Sequence, residues 1–141
     1  MNNYKYYDYL YRNNMNMNMN MNNQNLFNPQ EGFLKGNMFS NLYSGYKNYM
    51  PQRLTPRNEQ EKMLYELDSI SFAAHELNLY LDLHPEDQSM VTLFNDYRRK
   101  LEELTKNYEN KFGPLTVNSE EMENKTFSWT NSPWPWEGTN V

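Results

Sequence analysis

The sequence predicts an all-α fold: an antiparallel two-helix hairpin with N- and C-terminal arms that are disordered or dock on partners. Two observations support this prediction. In residues 57–113, apolar side chains recur at alternating steps of four and three residues in two matched runs, which is the pattern of one helix face. A short polar connection around Pro85 separates the runs, so the two helices are expected to lie antiparallel.

Residues 1–25 are predicted to be a disordered head. Five tyrosines fall between Tyr4 and Tyr11, and a Met–Asn alternation follows from Asn14 to Asn22. Alternation with a period of two is typical of strands, but Asn and Met form strands poorly. The stretch also has too few branched apolar residues to offset the entropy of ordering. We therefore expect the head to associate with other molecules rather than to fold.

Residues 26–56 form a separate segment that is aromatic and rich in turns. Large apolar side chains are dense between Phe33 and Met50, and three glycines interrupt the segment. Glycine at this frequency opposes a long helix and favours turns. Aromatic side chains on such a segment usually lie on a surface, so Tyr43 and Tyr46 are candidate docking residues. That surface is either the protein's own hairpin or a partner, and the sequence leaves both open.

The limits of the helical hairpin, residues 57–113, follow from its capping signals. Either Thr55 with Pro56 or Asn58 can cap the first helix, and Asn58 with Glu61 has the spacing of a capping box. Gly113 followed by Pro114 is expected to end the second helix. Each helix then has about 26 residues and a length of about 39 Å. The residues predicted to form the hairpin core or an oligomer seam are Leu67, Ile70, Leu77, Leu81, Phe94, Tyr97, Leu101, Leu104, Tyr108 and Phe112.

The connection between the two helices contains a proline and a polar cluster. Pro85 suits the first position of the second helix, with His84 or Asp82 as its cap. A weaker alternative is that His84, Asp82 and Asp87 hold a metal ion. Helix capping explains the same residues, and it is the interpretation that we favour.

A hairpin of two helices buries a single seam, and so small a core is marginal by itself. Either residues 26–56 pack across the hairpin as a third layer, or the hairpin pairs with another chain, including a second copy of itself.

Motifs for catalysis are missing from the sequence. The absence of cysteine excludes a thiol nucleophile, a Cys-ligated zinc and an iron–sulfur cluster. His75 and Glu76 begin a zinc-protease motif, but position 79 is Leu instead of the second His. Phosphate-binding glycine patterns and the Glu-x-x-His pairs of di-metal bundles do not occur either. We expect no enzymatic activity, no cofactor and no resident metal.

Charge and hydropathy exclude two classes of partner. The formal net charge of −5 argues against nucleic acid, which is bound largely through Lys and Arg. No apolar run approaches the roughly 20 residues of a membrane helix. Residues 1–10 are polar where a signal peptide would be apolar. We therefore expect neither membrane insertion nor classical secretion.

Residues 114–141 are predicted to be a docking tail rich in Trp and Pro. All three tryptophans of the chain, Trp129, Trp134 and Trp136, lie in this tail and are interleaved with prolines. Proline holds such a stretch extended, and Trp is a common anchor of protein interfaces. The tryptophans either dock on a partner or fold back over the hairpin seam.

The second half of the chain, residues 60–138, resembles the CotJB family of bacterial spore coat proteins. One departure from the family pattern is Leu83, where members usually have Thr. The residues that carry the resemblance are the run Leu64 to Phe72, the run Glu76 to Asp87, Tyr108 with Glu109, the run Lys111 to Leu115 and the Pro-Trp-Pro-Trp tail.

The resemblance implies a non-enzymatic structural component of the inner spore coat that is synthesised in the mother cell. The partners that it implies are a manganese-catalase-like coat protein and a second small coat protein, and this implication rests on analogy. An alternative role is an accessory subunit that stabilises or regulates the catalase-like enzyme.

Overall fold

A computed structural model describes residues 25–48, 50–123 and 127–130. In these residues the protein is all-helical and has no β-strand, so the predicted all-α hairpin is confirmed. The predicted head lies outside the described residues except for Asn25. The α-helices are α1 Pro29–Lys35, α2 Glu59–Leu83 and α3 Gln88–Phe112, and two short 3₁₀ turns follow at Glu120–Met122 and Ser128–Thr130.

Of the two predicted caps of helix α2, Thr55 with Pro56 and Asn58, the structure uses Asn58. The Asn58 side chain accepts a hydrogen bond from the Glu61 backbone N–H at 2.8 Å, which satisfies one of the free donors of the first turn. The Glu61 carboxylate accepts from the Arg57 backbone N–H at 2.6 Å, one residue earlier than in a standard capping box. At the other end, the His84 N–H donates to the Tyr80 carbonyl at 3.0 Å and closes the last turn.

Helix α3 begins later than predicted. The expectation that Pro85 takes the first helical position, with His84 or Asp82 as cap, is wrong, because the helix starts at Gln88 and its cap is Asp87. The Asp87 carboxylate accepts from the Ser89 and Met90 backbone N–H groups at 3.1 and 3.2 Å. One carboxylate thus accepts hydrogen bonds from two backbone N–H groups of the first turn.

The two long helices pack along their apolar stripes. Ile70 and Leu77 of α2 and Met90 and Tyr97 of α3 form the buried core between them. Polar contacts fasten the end of the hairpin that lies opposite the connection. There the Gln60 amide donates to the Tyr108 hydroxyl at 3.1 Å, and Lys111 pairs with Glu59.

Residues 25–43 pack on α2 and form the third layer of the fold. Backbone hydrogen bonds from Phe27 N to Met38 O (2.9 Å) and from Ser40 N to Asn25 O (2.8 Å) close this segment into a loop around α1. The Met38 side chain is fully buried and belongs to the same core cluster as the hairpin residues. The hairpin core is therefore completed from within the chain.

Aromatic rings fix the position of the third layer along α2. Phe33 lies against Tyr65 and Phe72, with ring centroids 5.9 and 6.0 Å apart. Six residues later, Phe39 lies against Tyr80 at 5.2 Å. The segment thus follows α2 toward the connection with α3. Across the described residues, no helix combines the length and apolar character needed to cross a membrane.

Candidate interaction surfaces

Tyr43, a predicted docking residue, packs partly against its own chain. Its ring lies edge-on to Phe27 with centroids 5.9 Å apart. The Lys35 ammonium lies 3.7 Å from the Phe27 ring centroid and 5.2 Å from that of Tyr43, within the range of a cation–π interaction. Glu31 holds the same ammonium at 2.6 Å. Tyr43 is therefore half-buried and marks the point where the chain leaves the third layer.

An exposed apolar stretch begins beside this point, and we call residues 42–48 and 50–54 the exposed stretch. Its large apolar side chains lie mainly in water, with exposed fractions of 68% for Leu42, 82% for Tyr46 and 87% for Met50. Leu54 is also exposed. Apolar groups gathered in this way mark surfaces that bind other molecules. Sequence reasoning identified Tyr46 and missed Leu42 and Met50, although the density of apolar residues was visible.

A second exposed apolar pair lies on α2 near the connection. Leu79 and Leu83 are four residues apart, so they lie on one helix face, and both are exposed. Neither residue belongs to the apolar stripe, with its alternating steps of four and three residues, that packs on α3. Their position outside this stripe was the sequence signal that could have indicated their exposure. The exposed fraction of Leu83 is 79%, so this position contributes apolar surface.

The polar cluster at the connection is a structural cap. The Tyr80 hydroxyl donates to the Asp87 carboxylate at 3.1 Å, and the Tyr80 ring lies 4.5 Å from the His84 ring. Hydrogen bonds from Ser89 and from the Met90 backbone lower the pKa of Asp87. Burial and the contact with Asp87 raise the pKa of Tyr80. Among the described residues, no cluster of three His, Asp or Glu side chains has the arrangement of a metal site.

The chain that follows α3 folds back onto the helix. Gly113 ends α3 with a φ of 104°, which glycine adopts without strain. The Leu115 backbone N–H then donates to the Glu109 carboxylate at 2.9 Å. Trp129 is half-buried and Phe127 is exposed, whereas Trp134 and Trp136 lie outside the described residues.

The residues predicted for the hairpin core or an oligomer seam differ in burial. Leu67, Ile70, Leu77, Tyr97 and Tyr108 are buried. Leu81, Phe94, Leu101 and Leu104 pack against the core but stay partly exposed, and Phe112 is half-buried.

A comparison with known protein families places these features in context. A family model described as CotJB protein matches residues 61–137, which is more than half of the chain. No curated protein and no solved structure matches the chain. CotJB is a family of spore coat proteins and is not known as a family of enzymes. The chain therefore belongs to the CotJB family, and the protein is associated with the spore coat.

Proposed function

We propose that this protein is a non-enzymatic structural component of the spore coat that assembles by contacts with other coat proteins. The observation that carries the proposal is the exposed stretch, in which Leu42, Tyr46 and Met50 keep most of their surface in water. Removing such apolar surface from water favours association with another protein. Because the chain belongs to a spore coat family, this association is expected to take place with other coat proteins.

The way in which the exposed stretch is attached supports a docking role. Its start is fixed to the folded unit, because Tyr43 packs against Phe27 and the nearby Met38 is fully buried. A segment that a rigid scaffold already positions loses less entropy on binding than a free peptide does. Tyr and Met are also side chains that interfaces favour. The exposed stretch therefore combines apolar contact area with a defined point of attachment.

The family resemblance suggests the partners and the location. The partners are a manganese-catalase-like coat protein and a second small coat protein, and a second copy of the chain is a further candidate. The proposed location is the inner coat, after synthesis in the mother cell. A fluorescent fusion followed through sporulation tests the location, and fluorescence restricted to the forespore interior would contradict it.

The docking role is tested with the full chain and the purified catalase-like coat protein. The double substitution Tyr46→Ser and Met50→Ser removes two exposed apolar groups without touching the core. We expect the complex to be lost in light scattering while helicity stays unchanged in circular dichroism. The matched control changes Lys47 and Gln52, exposed polar residues of the same stretch, to Ser and should leave the complex intact. Equal binding by both double variants would contradict the proposal.

The same complex separates a scaffold from an accessory subunit of the enzyme. A structural component leaves the rate of peroxide turnover by the catalase-like protein unchanged. An accessory subunit that stabilises or regulates the enzyme changes either this rate or the temperature at which the enzyme is inactivated. We expect an unchanged rate and an unchanged inactivation temperature. A change in either quantity that the Tyr46→Ser, Met50→Ser variant abolishes would favour the accessory role.

A further inference from the structure

Helix α2 extends beyond the third layer that covers it. The Tyr80 ring lies 5.2 Å from an aromatic ring of the third layer, and the Glu76 carboxylate accepts from a backbone N–H of that layer at 3.4 Å. Leu79 follows Glu76 by three residues and Leu83 follows Tyr80 by three, so both leucines lie on the same side of α2. They continue the covered surface beyond the end of its cover, and we call Leu79 and Leu83 the leucine pair.

The surroundings of the leucine pair are acidic. Asp82 and Glu86 are exposed, and they follow Leu79 and Leu83 by three residues each. The sequence contains no Lys or Arg from residue 63 to residue 97. Two copies that met through their leucine pairs would bring these negative charges together, and like charges oppose association. The chemistry that fits the leucine pair is therefore apolar and cationic.

The exposed stretch has this chemistry. The apolar side chains of Tyr46 and Met50 lie mostly in water, and Lys47 beside them is exposed. From residue 42 to residue 57 the sequence contains neither Asp nor Glu, and its basic residues there are Lys47, Arg53 and Arg57. Opposite charges around two apolar surfaces steer their encounter and fix the partner. The exposed stretch and the leucine pair are thus complementary in both charge and hydropathy.

The two surfaces do not cover each other within one chain. Met50 and Leu83 keep 87% and 79% of their surface exposed, so neither side chain is covered. The exposed stretch leads from the third layer to the Asn58 cap at the start of α2. Leu83 ends α2, about 36 Å along the helix from Glu59. A contact that buries both surfaces therefore joins two different copies.

We propose that the exposed stretch of one copy docks on the leucine pair of the next copy, with Lys47 facing Asp82 and Glu86. Two different surfaces meet in such a contact, so each added copy leaves one of them available for another. The chain then assembles head to tail, which suits a component of a layered coat. This inference rests on the proposed function, because it names a second copy as one partner of the exposed stretch.

The first test measures the mass of the full chain by light scattering as a function of concentration. Small interfaces bind weakly, so we expect the average mass to rise past that of a dimer between about 10 µM and about 1 mM. The rise should shrink in high salt, because salt screens exposed charges. A plateau at the dimer mass would overturn the inference in favour of a symmetric contact. A monomer mass throughout would overturn it and leave the proposed function standing, because that function is measured on the complex with the catalase-like protein.

Substitution of the leucine pair separates the two kinds of association. Leu79→Gln with Leu83→Gln removes the apolar surface and keeps good helix formers. This variant should stay monomeric where the native chain associates, with unchanged helicity in circular dichroism and with its complex with the catalase-like protein intact. Val117→Gln is the control, because Val117 is an exposed apolar residue outside both surfaces. Equal association of the variant and the control would contradict the inference.

A mixing experiment tests the head-to-tail arrangement. The variant of the leucine pair keeps its exposed stretch, and the Tyr46→Ser, Met50→Ser variant keeps its leucine pair. Each should be monomeric alone, and an equimolar mixture should form dimers and nothing larger, because each copy can then use only one surface. A mixture that stays monomeric would show that the two surfaces do not bind each other.

Charge reversal tests the complementarity without changing the apolar groups. Asp82→Lys with Glu86→Lys should weaken self-association several-fold. Glu102→Lys with Glu103→Lys, an exposed acidic pair on α3, makes the same change in net charge and should weaken it much less. Equal effects of the two reversals would mean that net charge alone governs association, and the inference would be wrong.

Discussion

The Tyr80 hydroxyl donates a hydrogen bond to the Asp87 carboxylate at 3.1 Å, and this contact joins the end of α2 to the start of α3. Asp87 is also the N-cap of α3 and accepts from the Ser89 and Met90 backbone N–H groups. The Tyr80 ring lies against Phe39 of the third layer. One pair of residues thus connects both long helices and the third layer at the end of the molecule that carries the exposed leucines.

The Asp87 cap predicts a loss of stability in acid. The pKa of Asp87 lies below its ordinary value of 3.8 because Ser89 and the Met90 backbone donate to the carboxylate. A lowered folded pKa means that this stabilisation is complete above the unfolded pKa and is lost as the pH falls through the folded pKa. Asp87→Asn should therefore lower the melting temperature at pH 7 and weaken its dependence on pH below about 4.

Thermal melts between pH 2 and pH 7 check this prediction, with Asp82→Asn as the control because Asp82 is exposed. An unchanged acid dependence in the Asp87 variant would show that the cap does not contribute to the acid transition.

For Asp68 on α2 we predict that the corresponding substitution changes the melting temperature at pH 7 in the opposite direction. Burial raises the pKa of this carboxyl, so the charged form is less favourable in the folded chain than in the unfolded chain. Asp68→Asn should raise the melting temperature at pH 7, and the gain should vanish as the pH falls below the unfolded pKa. Calorimetry at several pH values measures the gain, and a variant that is less stable at pH 7 would show that the carboxylate has a favourable partner.

Gly32 in α1 is a packing constraint. A Cβ added there would lie 2.3 Å from the Met38 sulfur, and because the Met38 side chain is fully buried, it can make room only by shifting within the core. Gly32→Ala should destabilise the protein by about 1–3 kcal/mol, the usual cost of overpacking. Gly45→Ala is the matched control, because its nearest neighbour would lie at an ordinary 3.5 Å. Denaturant melts of the two variants should differ clearly, and equal midpoints would contradict the packing of α1 on Met38.

Met38 and Met50 provide a comparison of one substitution in two environments. Met38 is fully buried in the shared core, whereas 87% of the Met50 surface is exposed. Met38→Ala should cost about 2–5 kcal/mol of the free energy of unfolding, and Met50→Ala should change it by less than about 0.5 kcal/mol. Chemical denaturation measures both values, and a small effect at Met38 would mean that the third layer is not part of the folded core.

The location of α3's first residue illustrates the limit of local signals. Pro85, His84 and Asp82 all satisfy rules for a helix start, and so does Asp87. In the structure Asp87 is the cap, since its carboxylate accepts from the Ser89 and Met90 backbone N–H groups, and the same carboxylate also accepts from Tyr80 of the preceding helix, a contact that no capping rule contains. The predicted cap at Asn58 is confirmed, and it needs only a local partner, because both hydrogen bonds of its side chain are made with Glu61, three residues away.

The family resemblance and the two helical stripes were accessible from the sequence, whereas the role of residues 25–43 was not. A glycine-rich aromatic segment is compatible with an exposed arm and with a buried layer. The hydrophobic effect is non-directional, so the sequence does not show which surface an apolar side chain will be buried against. Met38 shows the difficulty, since it belongs to no periodic pattern and is nevertheless fully buried. Tyr43 and Tyr46 differ for the same reason: Tyr43 packs against Phe27 and Lys35, whereas 82% of the Tyr46 surface is exposed.

By itself, the sequence determined the features that depend on local spacing: the two matched helices, their antiparallel connection and the cap at Asn58. Helical periodicity and the Asn58–Glu61 cap act over a few residues, so they can be predicted from the order of residues, whereas the cap of α3 was not predicted correctly. The tertiary structure alone decided which apolar residues are covered, because burial depends on residues far apart in the chain. It buried Met38 beneath the third layer, left Leu79 and Leu83 in water and joined Tyr80 to Asp87.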